Sequence, residues 1–403
     1  MRVVIINETF SPNMGYLGTM LPKHLSRFGV EVHVLATDLP AYHGLDEFRN
    51  GAPNFIRDQS FPAGTVREVD GYTVHIQAHS RLLGHVRMRN LRQKLLQLKP
   101  DVVYCVLAIG WMPLESALLK FWGHYQLFTG SHTTLLAFEA SKPKREPLWY
   151  GLRQFAMRWL PGRFVSLLTR KCYCPTGDSA EVAVRYFGVE KSKTEVVYLG
   201  VDRELFFPVA TESDRESRRA IRSGLKVAAA DVVCIYTGKM TEAKNPMLLA
   251  RAIGRMRSEG RAFYGLFIGD GAQRSQVAQC EACTVLDFMD VGELGRYYRA
   301  CDIAVWPTSE STSMLDAVAC GLPIIVSDRI YQDHVSGNGI AYRMNDLESL
   351  CDALRQLDNQ SRRQLLGEIG ARKMREHFTW DIAAKKRFED FSAALRSKNC
   401  HQS

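Results

Sequence analysis

Residues 302–328, DIAVWPTSESTSMLDAVACGLPIIVSD, place acids and a run of hydroxyl side chains where a buried strand hands over to a helix. Asp302 to Trp306 reads as the strand, Pro307 to Ser311 as its loop, and Ser313 to Cys320 as a helix that stops at Gly321 before Pro323. The free N–H groups of such a helix start, with Ser311, Thr312 and Ser313 as short donors beside them, suit a diphosphate. Glu310 and Asp316 can accept hydrogen bonds from sugar hydroxyls. A nucleotide sugar offers both chemical faces; a plain serine cap on a core helix is the alternative.

A second constellation is Gly238-Lys239-Met240-Thr241-Glu242-Ala243-Lys244-Asn245. Its two cations, Lys239 and Lys244, stand five residues apart on a loop after a predicted strand, where open α/β sheets place ligand groups, and both can converge on one diphosphate. Two solvated loop lysines are the plainer reading. Gly269-Asp270-Gly271 follows the next strand, and its structural reading is a tight strand-to-helix turn.

Asp316-Ala317-Val318-Ala319-Cys320-Gly321-Leu322-Pro323 resembles the end of the E-x7-E signature of family 4 glycosyltransferases, which closes on E-A-M-A-C-G-x-P. These are retaining enzymes of the GT-B fold. The first half departs from the pattern: the family's first acid would fall on Thr308, whereas Glu310 lies six residues before Asp316. Val201-Asp202-Arg203-Glu204-Leu205-Phe206-Phe207-Pro208 resembles the family's inter-domain G-V-D-x-x-x-F-x-P element.

The resemblance implies an α/β chain of GT-B type, two Rossmann-like doubly wound domains facing a central cleft. It implies Lys239, Lys244, Glu310 and His132 as catalytic residues, with Lys239 standing where the family usually has arginine. Donor binding would fall to Gly15, Met289, Thr312, Ser313, Met314 and Asp316: Asp316 at the ribose, Met289 in the loop beneath the base, and Gly15 in a phosphate loop where Met14 replaces a second glycine. The substrate implied is a UDP- or GDP-sugar. No Asp-x-Asp motif is present, so neither metal nor cofactor is expected. A non-catalytic GT-B scaffold that binds a nucleotide sugar or a partner protein is the alternative class. No G-x-G-x-x-G opens either half, which argues against a nicotinamide dehydrogenase, and the P-loop motif is absent.

These motifs need two domains to carry them, and 403 residues with 46% apolar and 24% charged composition are the length and make-up of two soluble domains. The expected division is residues 1–205, 206–377, and a terminal helix in 378–403 that returns to the first domain. Strands are predicted at Val3 to Asn7, Glu31 to Ala36, Val102 to Leu107, Gln126 to Thr129, Val232 to Tyr236, Tyr264 to Ile268 and Pro323 to Val326, with a hairpin at Asp70-Gly71. The longest apolar run, Val102 to Leu114, is too short to span a bilayer, and no signal-peptide pattern opens the chain, so a cytoplasmic location is expected. The ten cysteines are scattered in apolar runs, as reduced core residues are.

The net charge of +9 is concentrated in the first half: residues 1–200 hold 24 Lys+Arg against 16 Asp+Glu. Its densest part, Lys142 to Lys171, interleaves Lys144, Arg145, Arg153, Arg158 and Arg163 with Trp149, Phe155, Trp159 and Phe164, and Glu146 is its single acid. That mixture suits a helix lying on an anionic leaflet, with Arg153, Arg158, Trp159 and Arg163 as membrane contacts. A solvated helix and nucleic-acid binding are the lesser alternatives, and no nucleic-acid partner is expected. The acceptor expected is therefore a polyprenyl-diphosphate-linked sugar or another membrane glycan, for cell-surface polysaccharide or glycolipid synthesis, with the enzyme peripheral on the inner face of the plasma membrane.

Overall fold

In the computed structural model, which describes the chain apart from residues 13–14, 41–60, 143–147, 331–332, 334 and 400–403, the central strands are apolar runs buried on both faces. Helices cover both faces of a parallel sheet, so such strands need no polar alternation. The chain divides into two compact units. One comprises the described residues up to Leu199 together with those from Trp380 onwards; the other runs Gly200–Thr379.

The first unit is built on the sheet β10-β9-β8-β7-β1-β2-β4-β3. Its strands are β1 (Arg2–Ile6), β2 (Glu31–Thr37), β3 (Val66–Val69), β4 (Tyr72–Gln77), β7 (Val102–Cys105), β8 (Gln126–Gly130), β9 (Cys172–Cys174) and β10 (Thr194–Val196). All neighbours are parallel except β3 and β4, the hairpin turned at Asp70-Gly71. A separate two-stranded hairpin, β5 (His79–Leu82) and β6 (His85–Met88), was not foreseen from the sequence.

Alternation along β1 feeds two cores. Val3 and Ile5 pack with Leu21, Leu25, Phe128 and the last helix, while Val4 and Ile6 pack with Leu91, Leu95, Met112 and Val165. The last helix, Trp380–Asn399, inserts Trp380, Ala384 and Phe391 into the first of these cores. It is also tied by charge: Lys171 bridges Asp390 at 2.9 Å and Glu195 at 2.6 Å, and the Tyr173 hydroxyl donates to Asp390 at 2.9 Å.

The basic stretch forms Leu148–Gln154, a π-helical turn Phe155–Trp159, and Leu160–Leu168. The Leu160 N–H donates to the Phe155 carbonyl, five residues back, one residue before Pro161, which has no N–H to give. Met14, Lys144, Arg145 and Glu146 lie outside the described residues.

The second unit is the all-parallel sheet β13-β12-β11-β14-β15-β16, made of β11 (Val232–Thr237), β12 (Phe263–Ile268), β13 (Cys283–Leu286), β14 (Ile303–Trp306), β15 (Ile324–Ser327) and β16 (Gly339–Tyr342). The chain adds strands on one side of β11 and then on the other, so the order reverses between β11 and β14. Among the described residues, no helix is long and apolar enough to cross a membrane.

Candidate functional site

In open α/β sheets the crevice beyond the strand C-termini, at the point where the order reverses, is where ligands bind. Here that point gathers the loops leaving β11, β12 and β14. Gly238 N–H donates to the Ile268 carbonyl at 3.0 Å and Met240 N–H to the Asp270 carbonyl at 2.7 Å, which joins the lysine loop to the Gly269-Asp270-Gly271 turn. On the other side, the Thr308 hydroxyl donates to the Ala243 carbonyl at 2.8 Å and the Trp306 indole to the Thr237 carbonyl at 3.1 Å.

Those ties bring Lys244 to Glu310. The Lys244 ammonium donates to Ser309 Oγ at 2.6 Å and to the Glu310 carbonyl at 2.9 Å. Burial pushes the Lys244 pKa down, and the Glu310 charge opposes that shift. Thr308, which occupies the family's first-acid spacing, is buried and its hydroxyl is committed to Ala243, while Glu310 meets the lysine through its backbone carbonyl. Lys239 stands on the same loop, its carbonyl accepting from the Tyr236 hydroxyl at 2.6 Å.

The helix after this loop is Ser313–Ala319, one residue shorter than the sequence predicts, with Cys320 as its cap. Thr312 at its N-cap makes no side-chain cap hydrogen bond; instead Ser311 Oγ pairs with Ser313 Oγ at 2.7 Å. Met314 is buried, and its sulfur accepts from the Ser311 N–H at 3.3 Å. Asp316 lies on the first turn, and its carboxyl is pushed well above the ordinary range by withdrawal from water and by the neighbouring Asp202. Sequence reading missed Tyr298, whose hydroxyl meets Thr237 Oγ1 at 2.7 Å and lies within the field of Asp316. A buried tyrosine on an amphipathic helix reads as core, so only the fold reveals it.

Met289 lies in the partly buried loop after β13, and Asp287, two residues before it, pairs with Arg274 at 2.7 Å. Gly15 and His132 belong to the first unit. Gly15 has a left-handed φ of 62° ahead of the Leu17–Ser26 helix. His132 follows β8; its Nε2 is buried without a hydrogen-bond partner among the described residues, and burial, aided by Arg387, lowers its pKa to about 4. It is therefore a neutral imidazole at neutral pH, suited to meeting a hydroxyl and not to holding a phosphate as a cation.

The first unit also presents the basic surface. Arg153 stacks over Trp149 at 5.8 Å and Arg158 over Phe138 at 5.9 Å, whereas Arg163 is drawn to Glu190 at 3.1 Å. Trp159 is partly exposed and stacks on Phe155. Two helices packed side by side, Trp111–Gly123 and Leu160–Leu168, add exposed Leu118, Phe121, Trp122, Phe164 and Leu167 to the same unit.

Comparison with known proteins bears on both units. Residues 19–205 match the model described as "Glycosyltransferase Family 4", and residues 231–360 match that described as "Glycosyl transferases group 1". The chain belongs to the family 4, group 1 glycosyltransferases. Among curated relatives, the D-inositol 3-phosphate glycosyltransferase of Xylanimonas cellulosilytica is 27% identical over 241 residues, which is 55% of this chain and 57% of the relative. The chain thus spans little more than half the length of the curated relatives it matches. Two solved structures share the GT-B fold. Sucrose-phosphate synthase from Thermosynechococcus elongatus superposes with a TM-score of 0.71 at 14% identity, covering 98% of this chain and 99% of that one. Anabaena HepE in complex with UDP-glucose gives 0.69 at 14% identity, covering 98% and 100%.

The weld between the loops of this family 4 chain is testable at Gly269. Its φ is 143°, and a Cβ there would sit 2.0 Å from the Gly238 carbonyl oxygen. Gly269→Ala should destabilise the second unit by on the order of 2 kcal/mol, read as a lower midpoint in urea denaturation; an unchanged midpoint would show that the two loops are not locked together.

Proposed function

We propose that the protein is a retaining glycosyltransferase that moves a sugar from a UDP- or GDP-sugar to a lipid-linked glycan at an anionic membrane surface. The observation that carries the reading is the convergence of Lys244, Glu310 and the open start of the Ser313–Ala319 helix at the sheet's switch point. Breaking the glycosyl bond leaves negative charge on the diphosphate. Lys244 and the N–H groups of Thr312 and Ser313 would stabilise that charge as it develops, with Lys239 as a second cation on the loop. Glu310 and the neutral His132 would accept from and orient sugar hydroxyls, Asp316 would meet the ribose, and the Met289 loop the base. Departure and attack on one face of the sugar need no protein nucleophile and no metal. The complex of HepE with UDP-glucose supports a uridine donor.

The lipid-linked acceptor and the membrane location rest on the first unit's surface, where arginines stand beside exposed aromatic and aliphatic side chains. Arg153→Glu with Arg158→Glu should cut partitioning onto anionic vesicles by about tenfold or more, since each basic group near the surface is worth about 1 kcal/mol. Flotation reads this directly, and unchanged partitioning would remove the membrane from the proposal. Product mass spectrometry with a panel of UDP- and GDP-sugars and polyprenyl-diphosphate-linked acceptors tests the reaction. Donor binding without transfer or hydrolysis would favour the non-catalytic scaffold instead.

A further inference from the structure

The β5–β6 hairpin combines three features that rarely meet by packing alone. Its two-residue turn, Leu83-Gly84, has φ of 52° and 80°, the doubly positive turn that normally takes Asn-Gly. A leucine in that left-handed conformation is sterically disfavoured. The strained residue also faces solvent: Leu83 is 64% exposed and Leu82 44%. An apolar side chain held out on a strained turn contributes neither to the core nor to the ease of the turn.

The hairpin is nonetheless firmly mounted. The Trp111 indole donates to the Leu82 carbonyl at 2.8 Å, Arg87 pairs with Glu115, and the His79 ring meets Asp38 at 2.5 Å. Beyond Asp38 and Glu115, which are paired, the sequence around it is cationic. Residues 71–100 hold six Lys and Arg and no Asp or Glu, and Arg81 and Arg89 are exposed on and beside the hairpin. His85, just past the turn, is near enough to Arg158 for its charge, after burial, to lower the imidazole pKa. The turn therefore neighbours the basic helical stretch of residues 148–168, which exposes Leu152 at 71% and Leu160 at 52%.

We propose that Leu82 and Leu83 form a wedge that enters the outer part of an anionic leaflet, beside the basic helix that lies against its headgroups. The inference rests on the membrane reading given above and adds a second, apolar anchor to it. Exposed leucines with Arg81 and Arg89 exposed on and beside the same hairpin match the two layers of such a leaflet, acyl chain and anionic headgroup, and a water-exposed nucleic acid offers nothing to the leucines.

Co-sedimentation of the full chain with phosphatidylglycerol-rich and with pure phosphatidylcholine vesicles, at low and high salt, tests it. The parent should keep a salt-resistant bound fraction on the anionic vesicles. Leu82→Ser with Leu83→Asn should lower that fraction by about tenfold through lost apolar insertion. Its melting temperature should hold or rise, because asparagine is at home in the left-handed turn. Arg153→Glu with Arg158→Glu should instead remove the salt-sensitive part.

If the double hairpin variant binds like the parent while the charge-reversed variant does not, the wedge is wrong and the membrane reading stands. If the parent binds neither vesicle, both fall. If the parent is a dimer that the hairpin variant converts to a monomer with vesicle binding unchanged, the tip joins copies of this chain and the proposal is overturned.

Discussion

Lys244→Ala should lower sugar-nucleotide turnover by about a hundred- to a thousandfold, the loss expected when one preorganised charge is removed from a leaving group. The lysine is suited to that role because its ammonium is half-buried and aimed by fixed partners, Ser309 Oγ at 2.6 Å and the Glu310 carbonyl at 2.9 Å. An exposed lysine would be screened by water and would spend entropy on finding its position. The same partners offer a control. Ser309→Ala removes one hydrogen bond and leaves the charge, so it should cost roughly fivefold or less. Steady-state rates for both variants, with circular dichroism to confirm folding, decide the matter. Equal losses in the two would make Lys244 a strut of the loop, and no loss in either would move the leaving-group site elsewhere.

Asp316→Asn should have effects of opposite sign on stability and on binding. Withdrawal from water and the neighbouring Asp202 raise the Asp316 pKa in the folded state well above its unfolded value. The folded protein therefore prefers the protonated carboxyl. Its contribution is complete below the ordinary aspartate range and is lost as pH rises through the raised folded value. Asparagine cannot ionise, so at neutral pH the ligand-free variant should melt higher, by roughly 2–4 °C for each 1 kcal/mol regained. If the neutral carboxyl receives a ribose hydroxyl, the same substitution should weaken nucleotide affinity by about tenfold or less, the worth of a hydrogen bond between neutral groups. Thermal scans and calorimetry on one preparation read both. A variant that binds as tightly as the parent would remove Asp316 from the donor site, and a lower melting point would mean that the carboxylate is held by a partner.

The sheets were legible because Val3 to Ile6, Val232 to Tyr236 and Ile303 to Trp306 are apolar runs too short for helices, bounded by turn residues. The predicted end of the third such segment in the first unit was not: Val106 and Leu107 continue the apolar pattern of β7, but the chain leaves the ladder at Cys105. Spacing alone sets Thr308 where the family has its first acid, with Glu310 two residues later. The contact between Thr308 and the Ala243 carbonyl, 65 residues apart in sequence, is a pairing that only the fold reveals. The hairpin escaped notice for the opposite reason, since Leu83-Gly84 lacks the asparagine that announces such a turn. Tyr298 escaped, and the closeness of Asp202 to Asp316 with it, because their importance lies in what the fold sets beside them.

The last helix carries a consequence for how the chain is made. Trp380, Ala384 and Phe391 complete a core that begins with Val3 and Ile5. That sheet therefore emerges from the ribosome with one greasy side uncovered until Trp380–Asn399, far along the chain, has been made. Until then that side is open to chaperones and to aggregation. A stop placed just before Trp380 would leave every proposed donor-binding residue in place and still produce a first unit unable to finish folding.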